Sequence, residues 1–143
     1  MRACILRSSP HMKNILVLVL GLLLLAPAAY GASGKVKLLF FYRKSCKWCG
    51  MMDSVIDDPS IKNILQGNVS LEKINIYGTR KLAGEGLTGT ELKRKYAVFG
   101  IPTLIFIGAG GRELLRIPGV LTKEDFRDLV CHHAGIKSAF CGK

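Results

Sequence analysis

The sequence predicts one α/β domain whose strands and helices follow one another in the order β-α-β-α-β-β-α. Two observations support this prediction. Apolar runs rich in β-forming residues lie at 35–42, 69–76 and 103–107, and the segments between them place apolar residues at the spacing of a helix face. A chain of 143 residues is long enough for one such domain with an apolar core and too short for two of ordinary size.

The first half of the domain is predicted to be a strand, an interrupted helix and a second strand. Residues 35–42 are largely apolar, with four successive apolar residues at 38–41, as in a strand that is buried on both faces of a sheet. A helix is expected over 46–56, and the Asp-Asp-Pro sequence at 57–59 separates it from a short helical segment at 60–65. Residues 69–76 alternate well enough for a second strand. The apolar face of the first helix is expected to consist of Met52, Val55 and Ile56.

A loop and a capped helix are predicted next. Residues 77–89 contain four glycines and read as a loop or insertion whose role the sequence leaves open. Thr88 and Glu91 have the spacing of a capping box, in which each side chain accepts a hydrogen bond from the backbone N–H of the other residue. The helix that they begin is expected to run through Val98.

The last part of the domain is predicted to be a hairpin and a helix. The glycine-rich turn at 108–111 joins strand 103–107 to a second strand at 112–117. Thr122 is the expected N-cap of the final helix, because Asp125 follows three residues later. Its core-facing residues are expected to be Phe126, Leu129 and Val130.

The first 28 residues have the pattern of a secretory signal peptide. Three basic residues and no acidic residue precede an apolar run at 15–25, and small residues follow it. We predict cleavage after Ala28, with Gly31 as the alternative, so that 29–34 is a short linker and 35–143 is the domain with its C-terminal tail. A retained membrane anchor is the other interpretation, but eleven apolar residues fall short of the roughly 20 that a spanning helix needs.

The predicted mature chain is basic. Three of the 21 Lys and Arg residues and none of the ten Asp and Glu residues precede the cleavage site, so that cleavage leaves a net charge of +8. This charge suits nucleic acid, an anionic membrane surface or acidic proteins. The export signal and the lack of aromatic residues interleaved with the basic ones argue against nucleic acid. We favour a solvated basic surface on a periplasmic or otherwise secreted protein.

Four cysteines lie beyond the predicted cleavage site, whereas Cys4 would be removed with the leader. An even number of cysteines in an oxidising compartment allows disulfides. The spacing favours pairing Cys46 with Cys49 and Cys131 with Cys141.

The sequence Cys46-Lys47-Trp48-Cys49 lies where the first strand gives way to the first helix. Free backbone N–H groups and the helix dipole at a helix N-terminus favour a thiolate, which is the nucleophile of thiol–disulfide exchange. Residues 35–49 also contain five basic residues and no acidic one. We therefore expect a depressed pKa for the Cys46 thiol.

A strand, a Cys-x-x-Cys sequence at a helix start, and Ile101-Pro102-Thr103 some fifty residues later resemble the thioredoxin family. The resemblance covers roughly residues 35–134. It implies the thioredoxin fold, in which helices flank a four-stranded mixed sheet. It also implies thiol–disulfide oxidoreductase activity without a bound cofactor, because the cysteines themselves are the redox centre. Gly50, where haem attachment would need His, argues against a haem site.

The resemblance also implies roles for the site residues. Cys46 is the expected attacking sulfur, because it lies nearer the exposed helix end, and Cys49 is expected to resolve the mixed disulfide. Lys47 and Trp48, between the cysteines, would tune the redox potential, and Trp48 is also a candidate substrate contact.

Two further positions matter for the comparison with the family. Pro102 matches the family's cis-proline, which together with Ile101 would place backbone beside the cysteines to pair with an extended substrate. Phe40 stands where thioredoxins carry a buried acid. This departure weakens the expectation that a carboxylate deprotonates Cys49 efficiently.

Cys131 and Cys141 are the candidates for a structural disulfide that holds the C-terminal tail. Such a short closed loop contributes about 2 to 3 kcal/mol to stability. A second redox relay through this pair is one alternative. A metal site that adds His132 and His133 is another, although we predict no bound metal and expect these histidines to end a helix.

We therefore predict an exported thiol–disulfide oxidoreductase that acts on cysteine-containing exported proteins through Cys46 and Cys49. A membrane thiol donor or a membrane oxidase would be its redox partner, according to the direction of electron flow, which the sequence leaves open. No nucleic-acid partner and no membrane span after cleavage are expected. The alternative from another class is a non-catalytic binding module in which the first disulfide is permanent.

Overall fold

A four-stranded mixed sheet organises residues 34–136 and Cys141, which are the residues that this computed structural model describes. The strand order is β2-β1-β3-β4. β1 pairs parallel with β2 and antiparallel with β3, and β3 pairs antiparallel with β4. The predicted signal peptide (1–28) and all but the last residue of the predicted linker (29–34) lie outside the described residues. The strands are β1 (Val36–Tyr42), β2 (Val69–Asn75), β3 (Thr103–Ile107) and β4 (Glu113–Pro118).

Four helices connect and cover the strands. The predicted interrupted helix is present as α1 and α2, because Pro59 occupies the first position of α2 and Asp58 caps it. With these two counted as one, the predicted element order and the α/β thioredoxin-fold class are confirmed. Among residues 34–136, no helix has the length and apolar character needed to cross a membrane. The helices are α1 (Lys47–Ile56), α2 (Pro59–Leu65), α3 (Gly89–Lys95) and α4 (Lys123–Ala134).

Helix α3 begins as predicted but ends earlier. The capping box is present: the Thr88 side chain accepts from Glu91 N, and the Glu91 carboxylate accepts from Thr88 N at 2.8 Å. The helix ends at Lys95 rather than continuing through Val98. Ala97 takes a left-handed conformation with φ 47°, and Val98 N donates to Lys93 O at 2.9 Å. This is a Schellman termination without its usual glycine.

The core consists of two clusters, one on each side of the sheet, and β1 contributes to both. Leu38 and Phe40 belong to the cluster under α1, α2 and α4, whereas Leu39 and Phe41 belong to the cluster beside α3. All four side chains are fully buried, which confirms the predicted central strand.

The final helix packs through a narrower face than predicted. Phe126 and Val130 are buried one turn apart, and Cys131 and Ala134 pack against the same cluster. The prediction for Leu129 was wrong: among the described residues, the two clusters do not include it. It precedes Val130 by one position, and successive residues are rotated by about 100° around a helix.

The loop between β2 and α3 is closed at its base. Gly89 N donates to Gly78 O at 3.0 Å, and Gly78 N donates to Asn75 O at 2.8 Å. A Cβ atom at position 89 would collide with the Asn75 carbonyl oxygen, so the close contact between these two backbone segments requires glycine at this position. Further along the loop, Glu85 pairs with Lys37 at 2.9 Å and with Lys95 at 2.7 Å, which ties it to β1 and α3.

Strand pairing brings together the two segments that carry the predicted site. β3 runs antiparallel to β1, and its first residue, Thr103, lies opposite Phe41 near the end of β1. The segment before β3 and the segment after β1 therefore meet at one edge of the sheet. These segments contain Ile101-Pro102 and Cys46, respectively.

Candidate functional site

Cys46 and Cys49 form a disulfide at the beginning of α1. Their Cα atoms are 5.2 Å apart. Cys46 is the N-cap: its backbone is extended, and its Sγ accepts a hydrogen bond from Cys49 N at 3.2 Å. The first sulfur therefore occupies the position where Ser or Asp usually satisfies free N–H groups, which is where a helix best stabilises negative charge.

The two sulfurs differ in access to solvent. The Cys46 side chain is half-buried, whereas Cys49, one turn further along, is only 2% exposed. An incoming disulfide can therefore reach Cys46 and not Cys49. Such a difference in access is what an attacking sulfur and a resolving sulfur require.

Lys47 and Trp48 project from the turn between the cysteines. Trp48 is 58% exposed, and the Lys47 Nζ lies 5.8 Å from the centroid of the indole ring, within the range of a cation–π contact. An exposed indole beside the Cys46 sulfur offers an apolar contact surface. The ammonium group adds positive charge at the same place.

The residue before the N-cap, Ser45, has a positive φ of 62°. Such a conformation is uncommon outside glycine and is found preferentially at functional sites. It turns the chain between the end of β1 and Cys46. No sequence signal marks it, because serine is ordinary in loops.

Positive charge surrounds the first sulfur. Arg43, Lys44 and Lys47 are exposed, and the first turn of α1 carries no acidic residue. In the reduced protein these cations and the helix N-terminus act in the same direction on Cys46. Both stabilise the thiolate over the thiol.

Ile101 and Pro102 lie at the same edge of the sheet and are joined by a cis peptide bond. Backbone contacts hold them: Gly119 N donates to Pro102 O at 2.8 Å, and the Thr103 hydroxyl donates to Gly100 O at 2.8 Å. Pro102 is buried, whereas Ile101 is half-buried.

A cavity of about 200 Å³ next to Ile101 contains residues that the sequence reasoning missed. Its walls include Arg43, Tyr77 and Phe99. Phe99 is 96% exposed and Tyr77 is 62% exposed, so aromatic surface lies open beside the cis-proline. The sequence signal that could have identified this surface is the position of Phe99 directly before Gly100-Ile101-Pro102.

A second cavity, of about 190 Å³, is lined by both cysteines and by Asp53. Asp53 was also missed, although it follows Cys49 by four positions on the same helix, a spacing that makes side chains neighbours. Its Oδ1 lies 2.7 Å from Lys73 Nζ, and the Lys73 ammonium also contacts Asp57 at 3.1 Å. Burial lowers the pKa of Lys73, but the two carboxylates outweigh this effect and leave the pKa above its ordinary value.

Phe40 faces the core as an apolar residue. It is fully buried, and its register partner on β2 is Lys73. The strand thus supplies no acid near the cysteines. The carboxylate that lies near the cysteines, Asp53, comes from helix α1 instead.

In the second cysteine pair, Cys131 of α4 and Cys141 form a disulfide with a Cα–Cα distance of 5.6 Å. Both are partly buried against the first core cluster. His132 and His133 lie in the last turn of α4. Their rings pack edge to face, with the ring centroids 4.9 Å apart. Within the described part of the chain, no three metal-binding side chains lie close enough to hold a metal ion.

Comparison with known proteins agrees with this geometry. A family model described as a thioredoxin-like domain matches residues 25–134. Among solved structures, a thioredoxin from Thermus thermophilus is 25% identical with a TM-score of 0.57, and the match covers 78% of this chain and 82% of that one. Thioredoxin-2 of a malaria parasite is 22% identical with a TM-score of 0.57, covering 69% and 84% of the two chains.

A mutant thioredoxin from Halobacterium salinarum is 21% identical with a TM-score of 0.55, covering 75% of this chain and 81% of that one. No curated protein matches the chain. The family model spans most of the sequence, and the sheet and the position of the Cys-x-x-Cys pair support a redox-type function. The chain belongs to the thioredoxin-like domain family.

Proposed function

We propose that this protein is an exported thiol–disulfide oxidoreductase that works through Cys46 and Cys49. The observation that carries the proposal is the asymmetry of the pair: a half-buried sulfur caps α1, and a shielded sulfur lies one turn behind it. A permanent structural bond has no need of an accessible sulfur at the positive end of a helix. A redox pair has this need, because only the thiolate attacks.

In the reducing direction, the Cys46 thiolate attacks one sulfur of a substrate disulfide and releases the other as a thiolate. The product is a mixed disulfide between Cys46 and the substrate. Cys49 then attacks the Cys46 sulfur, closes the 46–49 bond and releases the second substrate thiol. The protein loses two electrons and the substrate gains two. The reverse sequence forms a disulfide in the substrate.

Substrate binding is proposed at Trp48 and at Ile101-Pro102. Trp48 supplies exposed apolar surface beside the attacking sulfur, and Ile101 borders the cavity that contains Phe99. An extended segment of a partner protein that lies along this edge brings its disulfide to Cys46. The proposed substrates are cysteine-containing exported proteins.

Export is proposed from the sequence of residues 1–28 alone. It places the protein in the periplasm or outside the cell, where a membrane thiol donor keeps it reduced or a membrane oxidase keeps it oxidised. The mass of the mature protein recovered from an exporting host tests this proposal. A mature chain that begins at Ala29 agrees with it, and a full-length product contradicts it.

Insulin reduction by dithiothreitol tests the activity. We expect the parent protein to accelerate the precipitation of insulin chains and Cys46→Ser to remain at the uncatalysed rate. In a separate experiment without dithiothreitol, the free Cys46 of Cys49→Ser should be trapped on substrate as a stable mixed disulfide. Equal rates for the parent and Cys46→Ser would remove the enzyme proposal and favour the binding module.

The reduction potential of the 46–49 pair then decides the direction. Values for related proteins range from about −270 mV for a reductant to about −120 mV for an oxidant. The positive charge around Cys46 favours the oxidising end of this range, because it stabilises the reduced thiolate form. Equilibration with glutathione buffers measures the potential.

A further inference from the structure

Asp53 lies in the cavity that both cysteines line, and the chemistry described so far does not use it. We propose that Asp53 accepts the proton of Cys49 when the resolving thiol attacks the mixed disulfide, and that Lys73 holds its carboxylate in place. This inference rests on the proposed oxidoreductase function and adds a residue to it.

The placement of Asp53 suits this role. It follows Cys49 by four positions on α1, so that the two side chains lie on the same face of the helix. Both line the cavity of about 190 Å³, which has ample room for water between them. The shielded Cys49 thiol needs a nearby base, because its 2% exposure leaves it little contact with bulk solvent.

The carboxylate is also connected to solvent. Its Oδ1 atom is buried beside Lys73, while the side chain as a whole is 44% exposed. A proton taken from Cys49 can therefore pass on to water. Lys73 lies on β2, where its register partner is the apolar Phe40 of β1. From this position it holds the Asp53 carboxylate in place.

Other charged groups around the cavity limit the alternatives. Arg43 and Lys44 line it and cannot accept a proton, and Tyr42 completes the wall on the side of β1. Asp57 also contacts Lys73, and it contacts Lys62 at 3.3 Å, but it is not part of the cavity wall. Among the residues that line this cavity, Asp53 is the carboxylate.

The step balances without a further reactant. In the mixed disulfide, Cys49 loses its proton to the Asp53 carboxylate through cavity water, and the resulting thiolate attacks the Cys46 sulfur. The bond between Cys46 and the substrate sulfur breaks as the 46–49 bond forms. The substrate leaves as a thiolate, and Asp53 returns the proton to solvent or to that thiolate.

The test follows the two steps separately. The reduced protein is mixed with glutathione disulfide, samples are quenched with acid at successive times, and mass spectrometry counts free, glutathione-bound and internally oxidised protein. The proteins compared are the parent, Asp53→Asn and Asp57→Asn across a range of pH. Asp57→Asn is the matched control, because it removes the other carboxylate on Lys73 and leaves the cavity intact.

We expect attack by Cys46 to proceed at similar rates in all three proteins. Resolution should be slower in Asp53→Asn at neutral pH, on the order of 100-fold, which is the lower end of what a positioned base contributes. In this variant the rate should rise with pH, because more of Cys49 then ionises without a base. At the alkaline end of the range it should approach the rate of the parent, and Asp57→Asn should follow the parent throughout.

Resolution by Asp53→Asn with the rate and pH profile of the parent would overturn this inference and leave the proposed function intact. If the parent forms neither the mixed disulfide nor the internally oxidised protein, the proposed function fails, and the role of Asp53 fails with it. Should Asp53→Asn not fold, Asp53→Ser removes the carboxylate while keeping a small polar side chain. The same pH profile is expected of it.

Discussion

The two disulfides of this chain lie at opposite ends of helices. Cys46 caps the N-terminus of α1, whereas Cys131 lies in the last turn of α4. A helix N-terminus stabilises a thiolate and a helix C-terminus destabilises it. We therefore expect the first bond to open more easily than the second.

Their surroundings differ in the same sense. Basic side chains and an exposed indole surround the first disulfide. Cys131 and Cys141 instead pack against the first core cluster. Sequence separation alone, three residues against ten, does not reveal this contrast. Electrostatics and packing do.

The largest expected effect is a difference in the rate of reduction. Under limiting reductant, the 46–49 bond should open on the order of 100-fold faster than the 131–141 bond, because the helix N-terminus and the basic side chains stabilise Cys46 as a leaving thiolate. Alkylation and peptide mass mapping measure which cysteines become free. Early labelling of Cys131 or Cys141 would contradict the assignment, and the variant with both Cys46 and Cys49 replaced by Ser is the control.

Removal of the second disulfide should affect stability rather than turnover. The double variant Cys131→Ser, Cys141→Ser should lose about 2 to 3 kcal/mol of unfolding free energy, because its unfolded chain is no longer cross-linked. Urea denaturation measures this loss, and insulin reduction should remain at the parent level. A loss of activity in a folded double variant would indicate a relay through the second pair.

A smaller effect is expected from the charge next to the first sulfur. Lys47→Glu should raise the pKa of the Cys46 thiol by about half a unit to one unit and shift the reduction potential toward more negative values. The pH dependence of Cys46 alkylation measures this shift. Lys81→Glu, in the loop before α3, makes the same charge change elsewhere and should leave the thiol pKa unaltered.

The smallest expected effect is a pH dependence near the second disulfide. Burial, aided by the charge of His132, lowers the pKa of His133 below its ordinary value of 6.5. The unfolded chain therefore binds this proton more readily than the folded one, so that stability is lost as the pH falls below 6.5. Urea titrations at several pH values should show this loss in the parent and less of it in His133→Gln. A gain of stability on acidification that depends on His133 would contradict the prediction.

Short-range patterns account for the parts of the fold that the sequence predicts well. The Thr88–Glu91 capping box, the Asp58-Pro59 helix start and the apolar run of β1 each carry their signal within a few residues. The position of Cys46 at a helix start follows from the same kind of pattern. These features are confirmed because local chemistry determines them.

The missed features depend on contacts between distant segments or on unusual backbone. Ala97 ends α3 in a conformation that glycine normally marks, so the prediction ran on to Val98. Asp53 stands out only because it pairs with Lys73 on β2, and Phe99 stands out only because it lies beside Ile101. Strand register and loop position bring these residues together, and local sequence patterns do not reveal such contacts between distant segments.

The closed base of the 77–88 loop has a consequence for how this protein is engineered. Because Gly78 and Gly89 hold the two ends together, added residues extend outward and leave β2 and α3 where they are. The entropic cost of such a lengthening grows only with the logarithm of the loop length. An epitope or a fluorescent reporter grafted between Ala83 and Gly84, which are both exposed, can thus be displayed on the scaffold without disturbing its redox pair.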